Sequence, residues 1–544
     1  MGKLISNTLG LNSIKNLNSA IELCNKGVIE HKNNNLELAK KYYKESLKFN
    51  PRHEEAYLNL GIIYFQEKDL QQAIVFFEQS ISLIKKFEQS FVLLASCYNM
   101  LENERMMIKI INKGLLSLPK SLELLKAKST YLIKHGKFDE VLIVQKTICE
   151  ILNINIYDSP EYVRSLIFSG DETAGKQIAI KNLDKPLFKI IYAELLSLND
   201  EKKKAFELIQ DLADNGNNLA INVISTCTYD NDSFLFAEKK LLLDFENLNK
   251  ENKISKAFSL AMIYNKNNKF DEAFRFAEIG HSLLEQPNEQ YFRDIFTNTK
   301  KIFTNDFYMK NKQEYKCKTD PIFIVGMPRS GTSVLEQILS MNKNITPLGE
   351  SIEVSKLVNY YSPFGRRDLF PFYIKEFTKK SFQEIGKKYC KEIGSGIFTD
   401  KLPHNFLNVG FINAILPNAK IVYIERDIKD VAISIWLRNF AGQHLYANNF
   451  KFLLEYSRLY LDLMNYWESL NYDNFYKISY SDLVNNTNDE LEKLTRFLNL
   501  SNEFDYLNFY KSDRVVKTAS KEQVRKPINN KSIGHWKNYS KFFE

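Results

Sequence analysis

The sequence predicts two architectures within one chain of 544 residues: an all-α array of helical repeats, followed by an α/β domain with a central parallel sheet. Three observations lead to this fold class. A 34-residue period runs through the N-terminal part, a buried strand enters a glycine loop and a helix after residue 320, and a second strand-to-helix unit follows about 95 residues later. We expect domains 1–310 and 311–544, because the chain exceeds the size of a single small domain.

The composition is typical of a soluble globular protein, with 44% hydrophobic and 26% charged residues. No apolar run suits a signal peptide or a membrane span. The first six residues fit the loose M-G-x-x-x-S myristoylation pattern, which we interpret as a chance match because only two positions are constrained. The net charge is +8, and residues 311–544 carry +7 of it, which favours a small anionic ligand there over a nucleic acid.

The six cysteines are scattered along the chain, at Cys24, Cys97, Cys149, Cys227, Cys317 and Cys390. They form no CxxC pair and no local cluster with histidine. We therefore expect neither a disulfide framework nor a structural zinc site, and no metal elsewhere. This cysteine usage fits a reducing compartment, and we predict a cytoplasmic protein.

The 34-residue period relates small and aromatic residues. The equivalent positions are Gly27, Gly61 and Ala95; Ala39 and Ala73; Tyr43 and Phe77; and, two periods apart, Pro51 and Pro119. Each unit places a small residue where two helices cross and an aromatic ring that packs over it. This pattern resembles the tetratricopeptide repeat, a helix-turn-helix unit of 34 residues. We expect the small and aromatic residues to form the core of a solenoid, because one helix pair cannot bury its own face.

Partial copies of the repeat extend the predicted array to about residue 300. Ala193 with Ala205, and Ala261 with Ala273, keep the 12-residue separation of Gly61 and Ala73. The resemblance implies a groove that holds a peptide or a protein partner, at positions that one sequence cannot identify.

The α/β part begins with a phosphate-binding pattern. Residues 321–325 predict a buried strand, residues 326–333 read G-M-P-R-S-G-T-S, and a helical pattern follows. The two glycines have the spacing of G-x-x-x-x-G-K-[ST], which lets backbone N–H groups surround an anion at a helix N-terminus. Thr332 occupies the lysine position of that motif, which argues against a nucleoside triphosphatase, and Arg329 can supply the cation instead.

At these residues the chain resembles the sulfotransferase family, and the P-R-S-G-T-S segment is similar to the P-R-S-G-T-T form of protein-tyrosine sulfotransferases. The resemblance implies a P-loop-like fold and a loop that binds 3′-phosphoadenosine 5′-phosphosulfate (PAPS). The implied donor-binding residues of this loop are Arg329, Ser330, Gly331, Thr332 and Ser333.

A second constellation follows the predicted strand 420–425. Arg426 ends this strand, and Ser434 lies two helical turns later, so that both can face one anion. The pair resembles the 3′-phosphate site of the sulfotransferase family. We expect Asp427 to cap the helix and Asp430 to lie on the surface.

A third constellation lies near the C-terminus. Residues 520–537 form a basic segment that resembles the loop tyrosyl sulfotransferases fold over the nucleotide, with Ser520 and Trp536 at matching positions. His535 occupies a lysine position of that family. The phosphate contact is therefore open between His535, Lys537 and Arg525, and we include Ser520, Arg525 and Lys537 among the donor-binding residues.

Sulfuryl transfer requires cations at the leaving oxygens and a base for the acceptor. Arg329 is one candidate cation. Lys401 is the other, because its D-K-x-P context matches the catalytic lysine of the family. Glu350, in a G-E element that the family shares, is our choice of base. Ser351 stands where tyrosyl enzymes have a second glutamate, and Glu353 and His404 remain alternative bases.

The sequence thus predicts a PAPS-dependent sulfotransferase whose acceptor is a hydroxyl group, with a protein or peptide tyrosine as the leading hypothesis. Adenosine 3′,5′-bisphosphate is the expected product of the donor, and no metal is required. The alternatives are sulfation of a carbohydrate, lipid or small hydroxyl compound, and a P-loop kinase or a nucleotide-binding scaffold. The oligomeric state stays open.

Overall fold

The computed structural model divides the chain into two compact units, residues 1–171 and 172–544. It describes residues 2–83, 87–101, 103–134, 137–315, 317–362, 370–440, 444–501, 505–511 and 525–544. Among these residues, no helix has the length and apolar character that a membrane crossing requires.

The first unit consists of α-helices that pack in sequence as helix pairs. They are α1 (Gly2–Lys32), α2 (Leu36–Phe49), α3 (Glu54–Gln66), α4 (Leu70–Leu83), α5 (Glu88–Met100), α6 (Glu104–Ser117), α7 (Leu122–Lys134), α8 (Phe138–Leu152) and α9 (Pro160–Ser169).

The small and aromatic residues of the period form the core of this unit, as the sequence predicts, whereas Pro51 and Pro119 are exposed. Tyr43 and Phe77 are fully buried. A Cβ atom added at Gly27 would lie 2.6 Å from the Tyr43 ring, and one added at Gly61 would lie 2.5 Å from the Phe77 ring. The glycines are therefore required by the close approach of the aromatic rings.

The second unit begins with nine further helices. They are α10 (Glu172–Lys181), α11 (Pro186–Leu198), α12 (Lys202–Asp214), α13 (Asn218–Cys227), α14 (Asn231–Leu242), α15 (Lys250–Lys266), α16 (Phe270–Ser282), α17 (Glu289–Ile302) and α18 (Asn305–Asn311). Buried side chains from each of the helices α11 to α17 belong to the same hydrophobic cluster as one face of the sheet. The compact units thus divide near residue 171, because these helices share a core with the sheet, and the division of the sequence at 310 stays a prediction.

The sheet contains five parallel strands in the order β2-β3-β1-β4-β5. Their bounds are β1 (Thr319–Val325), β2 (Ile345–Pro347), β3 (Gly396–Asp400), β4 (Lys420–Glu425) and β5 (Phe475–Ser479). The associated helices are α19 (Thr332–Leu339), α20 (Glu353–Tyr360), α21 (Lys379–Ile393), α22 (Val409–Ile415), α23 (Ile428–Trp436), α24 (Phe450–Ser469), α25 (Tyr480–Asn485) and α26 (Thr487–Leu498). The prediction of a central parallel sheet is confirmed.

Both faces of the sheet are covered. Phe323 and Val325 belong to the cluster shared with the preceding helices, while Ile322 and Ile324 belong to a second cluster with α19 and α26. Successive side chains of a strand point to opposite faces, so burial on both sides requires the continuous apolar run seen in β1. Because all five strands are parallel, their carboxyl ends lie at the same edge of the sheet.

One expectation about the cysteines was wrong. Cys317, just before β1, is joined to Cys390 on α21 in a disulfide. The two residues are 73 positions apart, and only the packing of α21 near the entry to β1 brings them together. The other four cysteines are buried and free.

Candidate active site

The glycine loop connects β1 to α19 with two residues in the left-handed region, Arg329 at φ 72° and Gly331 at φ 110°. Gly331 is the N-cap residue of α19 and has no side chain to cap the helix. The first N–H groups of a helix lack partners within the helix, and the helix dipole is positive at this end. These features favour the binding of an anion at the loop.

Arg329 and Ser434 meet at this loop. The Nε of Arg329 donates to Ser434 Oγ at 3.0 Å, although 105 residues separate them. Arg329 is 7% exposed. Arg426 donates through Nη1 to the carbonyl oxygen of Arg329 at 2.9 Å. The structure thus brings Arg329 of the glycine loop together with Arg426 and Ser434, the pair that the sequence assigned to a separate phosphate group.

Two buried polar atoms at the site have no hydrogen-bond partner among the described residues. They are the hydroxyl of Ser330 and the Nε of Arg426. A hydroxyl and a guanidinium N–H are the groups that bind phosphate or sulfate oxygens. The residues present therefore fit an anionic nucleotide such as PAPS.

A cavity of about 510 Å³ opens at the loop. Arg329, Gly331, Arg426 and Ser434 line it. The predicted site residues ahead of the C-terminal segment that do not line it are Ser330, Thr332, Ser333, Glu350 and Lys401. Its volume is that of a typical small-ligand site.

Lys401 and Glu350 form an ion pair at the carboxyl ends of β2 and β3. Lys401 Nζ lies 2.8 Å from Glu350 Oε1, and the Lys401 side chain is fully buried while that of Glu350 is 40% exposed. The backbone N–H of Lys401 also donates to the carbonyl oxygen of Gly349 at 2.8 Å. The candidate cation and the candidate base are therefore held together.

Two further carboxyl groups near the pair, those of Glu336 and Asp400, were not identified from the sequence. Glu336 on α19 accepts from the N–H of Gly349 at 3.0 Å and from Thr399 Oγ1 at 3.1 Å, which fixes the loop that carries Glu350. Asp400 accepts from Asn405 Nδ2 at 3.2 Å. Complete burial raises the pKa of Asp400 to about 8, and Glu336 adds to the shift.

The alternative bases have other partners. Glu353 forms an ion pair with Lys356 within α20. His404 Nε2 lies 3.1 Å from the hydroxyl of Tyr446, and its ring stacks on His444 at 4.6 Å. Of the three candidates, only Glu350 pairs with Lys401.

The C-terminal segment differs from the prediction only in part, because His535, one of the three residues considered for the phosphate contact, lines the cavity. Ser520 lies outside the described residues. Arg525 donates to Glu172 Oε2 at 2.7 Å, and neither Arg525 nor Lys537 lines the cavity. Arg525 instead attaches the segment to α10, because a carboxylate is available there. Lys526 and Lys531 line the cavity in their place, and only the fold shows this.

The two aspartates at the start of α23 have different roles. Asp427 caps the helix, as predicted, by accepting from the N–H of Lys429 at 2.8 Å. Asp430 was expected on the surface but is 3% exposed. Its carboxylate accepts from the N–H groups of Gly534 at 2.7 Å and Trp536 at 2.9 Å. Asp430 therefore attaches the C-terminal segment beside the cavity. Burial lowers the pKa of neighbouring His535.

Two family models match the chain. Residues 321–505 match the model described as the sulfotransferase family. Residues 23–53 and 54–87 match the tetratricopeptide repeat. The first match begins at β1 and includes the glycine loop, Glu350, Lys401, Arg426 and Ser434.

The chain is 30% identical over 317 residues to an uncharacterized protein of Aquifex aeolicus, strain VF5. That similarity covers 55% of this chain and 42% of the relative, so the chain spans less than half of the relative's length.

Two solved structures show weaker similarity. The sulfotransferase domain of the Synechococcus PCC 7002 olefin synthase is 18% identical, with 42% of this chain and 90% of that domain covered and a TM-score of 0.31. A sulfotransferase of Mycobacterium tuberculosis H37Rv is 12% identical, with 55% and 97% covered and a TM-score of 0.25. The family matches and the strand order together show an N-terminal helical repeat region and a C-terminal domain with a central parallel sheet and a sulfotransferase fold.

Proposed function

We propose that the protein transfers the sulfuryl group of PAPS to a hydroxyl acceptor, most specifically to a tyrosine of a protein or peptide. The ion pair of Lys401 and Glu350 carries this proposal, because it places a fixed cation and a carboxylate 2.8 Å apart at the sheet edge where the glycine loop also lies. The match of residues 321–505 to the sulfotransferase family supports it.

The donor would be held by its anionic groups. The N–H groups at the start of α19, with Ser330 and Arg329, suit the 5′-phosphosulfate end. Arg426 and Ser434 suit the 3′-phosphate, which distinguishes PAPS from ATP. The loop has Thr332 where a triphosphatase has lysine. This substitution disfavours the kinase alternative, because that lysine reaches the β and γ phosphates.

In the transfer step, an S–O bond forms to the acceptor oxygen while the S–O bond to the 5′-phosphate breaks. The acceptor's proton passes to the Glu350 carboxylate. The bisphosphate leaves with the bonding electrons, and Arg329 and Lys401 stabilise the negative charge that develops on the bridging and sulfuryl oxygens. No bound metal is needed for this step, since the chain's own cations supply the positive charge.

The acceptor assignment has two supports. A tyrosine hydroxyl has an ordinary pKa near 10, so a carboxylate positioned to accept its proton as the bond forms is a workable base. The repeats matched at residues 23–87 belong to a class of solenoid that presents extended binding grooves, which suits a protein or peptide acceptor.

The experiment supplies the purified full chain with radiolabelled PAPS and a mixture of tyrosine peptides, glycans, lipids and small phenols. We expect label in the tyrosine peptides and none in matched peptides with phenylalanine. Label in glycan, lipid or phenol alone would assign the acceptor differently. Tight binding of ATP with no response to PAPS would overturn the proposed function.

A further inference from the structure

One wall of the cavity at the glycine loop comes from residues that precede the segment matched to the sulfotransferase family. That segment begins at residue 321. The wall consists of side chains from α12, α13 and α15, which precede the sheet in the same compact unit: Lys202, Ser225, Thr226, Met262, Asn265 and Lys266.

The charge on the cavity is strongly unbalanced. Seven lysine or arginine side chains line it, and among the described residues its only carboxylate is Asp430. That carboxylate already accepts from the N–H groups of Gly534 and Trp536. Like charges that face one space repel each other, so this arrangement is favourable when an anionic ligand with several charges lies between them.

The wall is fixed to the rest of the site at Asn265. Its Oδ1 receives the Tyr539 hydroxyl at 2.6 Å and lies 2.9 Å from His535 Nε2. Lys266 is the next residue and also the last of α15. Its ammonium donates to the carbonyl oxygen of Thr228 and, at 3.1 Å, to Thr228 Oγ1. These contacts hold the Lys266 charge at the cavity.

Lys202 approaches the cavity from α12, of which it is the first residue. Asp200, two residues earlier, binds Lys526 of the C-terminal segment at 3.0 Å. Both Lys202 and Lys526 line the cavity. The start of α12 is therefore attached to the segment that borders the cavity, and Lys202 faces the same space as Arg426.

We propose that Lys202 and Lys266 bind phosphate oxygens of the same nucleotide that Arg329 and Arg426 bind. The helices before the sheet then form part of the donor site and do more than present an acceptor. This inference rests on the proposed function, because it takes the nucleotide to be PAPS or its bisphosphate product.

The test measures binding of adenosine 3′,5′-bisphosphate to the full chain by calorimetry. Lys202→Gln removes the charge, and Lys203→Gln is its matched control, since the neighbouring Lys203 side chain is 70% exposed and pairs with Glu207. A hydrogen bond to a charged group contributes enough that we expect binding about tenfold weaker for Lys202→Gln. Binding should be unchanged for Lys203→Gln and largely restored in Lys202→Arg.

For Lys266, the matched control is Thr228→Val, which removes the partner hydroxyl but keeps the lysine charge. We expect Lys266→Gln to weaken bisphosphate binding about tenfold and Thr228→Val to leave it nearly unchanged. Equal effects of these two variants would mean that Lys266 only holds Thr228, and would overturn its part of the inference.

The outcomes separate the two proposals. If the wild-type chain binds the bisphosphate and the Lys202 and Lys203 variants bind equally well, the inference about Lys202 is overturned while the proposed function stands. If the wild-type chain does not bind the bisphosphate, both are overturned. Thermal unfolding of each variant without ligand shows whether a lost affinity reflects a lost fold.

Discussion

Lys401 Nζ contacts Glu350 Oε1 at 2.8 Å across the ends of two neighbouring strands, with the lysine side chain fully buried and the glutamate 40% exposed. The asymmetry matters for the proposed chemistry. A buried ammonium keeps its position because it cannot exchange its partner for water, whereas a half-exposed carboxylate can still receive a proton from an acceptor. The pair therefore combines a fixed charge with an accessible base.

Lys401→Ala is expected to reduce sulfuryl transfer at least a hundredfold, because loss of one group that stabilises developing charge typically costs that much. The half-exposed Glu350 can be solvated when the ammonium is gone, so the fold should persist. Turnover with labelled PAPS and circular dichroism check the two parts. Full activity in this variant would exclude a catalytic role for Lys401, and the same holds for Arg329→Ala.

Glu350→Gln is expected to lower turnover by about two orders of magnitude, since general-base catalysis contributes on that scale, while binding of the bisphosphate stays within a few-fold. Glu353→Gln is the matched control, because Glu353 is three residues away and pairs with Lys356. Equal turnover of the two variants, or a greater loss in Glu353→Gln or in His404→Gln, would assign the base to another residue.

Asp400→Asn is expected to reduce the pH dependence of stability. Burial raises the pKa of Asp400 to about 8, so the folded protein keeps a proton that the unfolded chain loses near its ordinary pKa. The stabilisation is complete below the pKa that Asp400 has in the unfolded chain, and it is lost as pH rises towards 8. The free energy of unfolding then falls with a limiting slope of about 1.4 kcal/mol per pH unit. Urea unfolding between pH 5 and 8 measures the slope.

In Asp400→Asn the amide resembles the protonated acid, so the variant should lose less stability than the wild type over this range. Identical slopes for the two proteins would show that Asp400 does not carry the buried proton.

Asp430→Ala is expected to detach the C-terminal segment from α23. The N–H groups of Gly534 and Trp536 lose a charged acceptor, which costs about 1.5–3 kcal/mol for each such bond if no water replaces it. Hydrogen exchange of residues 534–539 should accelerate, and bisphosphate binding should weaken because this segment borders the cavity. Asp427→Ala removes the cap of α23 and the single bond from Trp536 Nε1, so a smaller acceleration is expected there. Unchanged exchange in Asp430→Ala would contradict the assignment.

The sequence predicted well those features that short segments determine. The strand before the glycine loop, the loop itself and the strand ending before Arg426 are all local patterns, and the structure has them as β1, the turn into α19, and β4. The contacts of Arg329 with Ser434, and of Glu350 with Lys401, were not predicted as pairs, and they arise because parallel strands end at one sheet edge.

Features that depend on distant packing were not accessible. Asp430 has the hydrophilic character of a surface residue, and only the return of the C-terminal segment buries it. Arg525 has the charge for a phosphate contact, but Glu172, 353 positions earlier, binds it instead. Lys202 and Lys266 belong to helices whose pattern indicates only repeat packing, so no local signal marks them as cavity residues.

The repeats of the first unit supply the last prediction. Gly61 is opposite Phe77, while the equivalent pair one repeat later is Ala95 and Ile111, which lie in the same hydrophobic cluster. Where the glycine is replaced by the larger alanine, the aromatic ring is therefore replaced by the smaller isoleucine. Gly61→Ala gains about 1 kcal/mol of helix propensity, but overpacking against a fully buried ring typically costs about 1–3 kcal/mol, so we expect net destabilisation.

Adding Phe77→Ile to Gly61→Ala should recover stability, because the pair then reproduces the packing of the next repeat. Phe77→Ile alone should destabilise, since it leaves a cavity over Gly61. Hydrogen exchange of α3 and α4 in the full chain measures the local stability of these helices for all four proteins. Strictly additive effects of the two substitutions on stability would mean that residues 61 and 77 pack independently. Unaltered exchange in Gly61→Ala would mean that the Phe77 ring moves aside without a cost in stability.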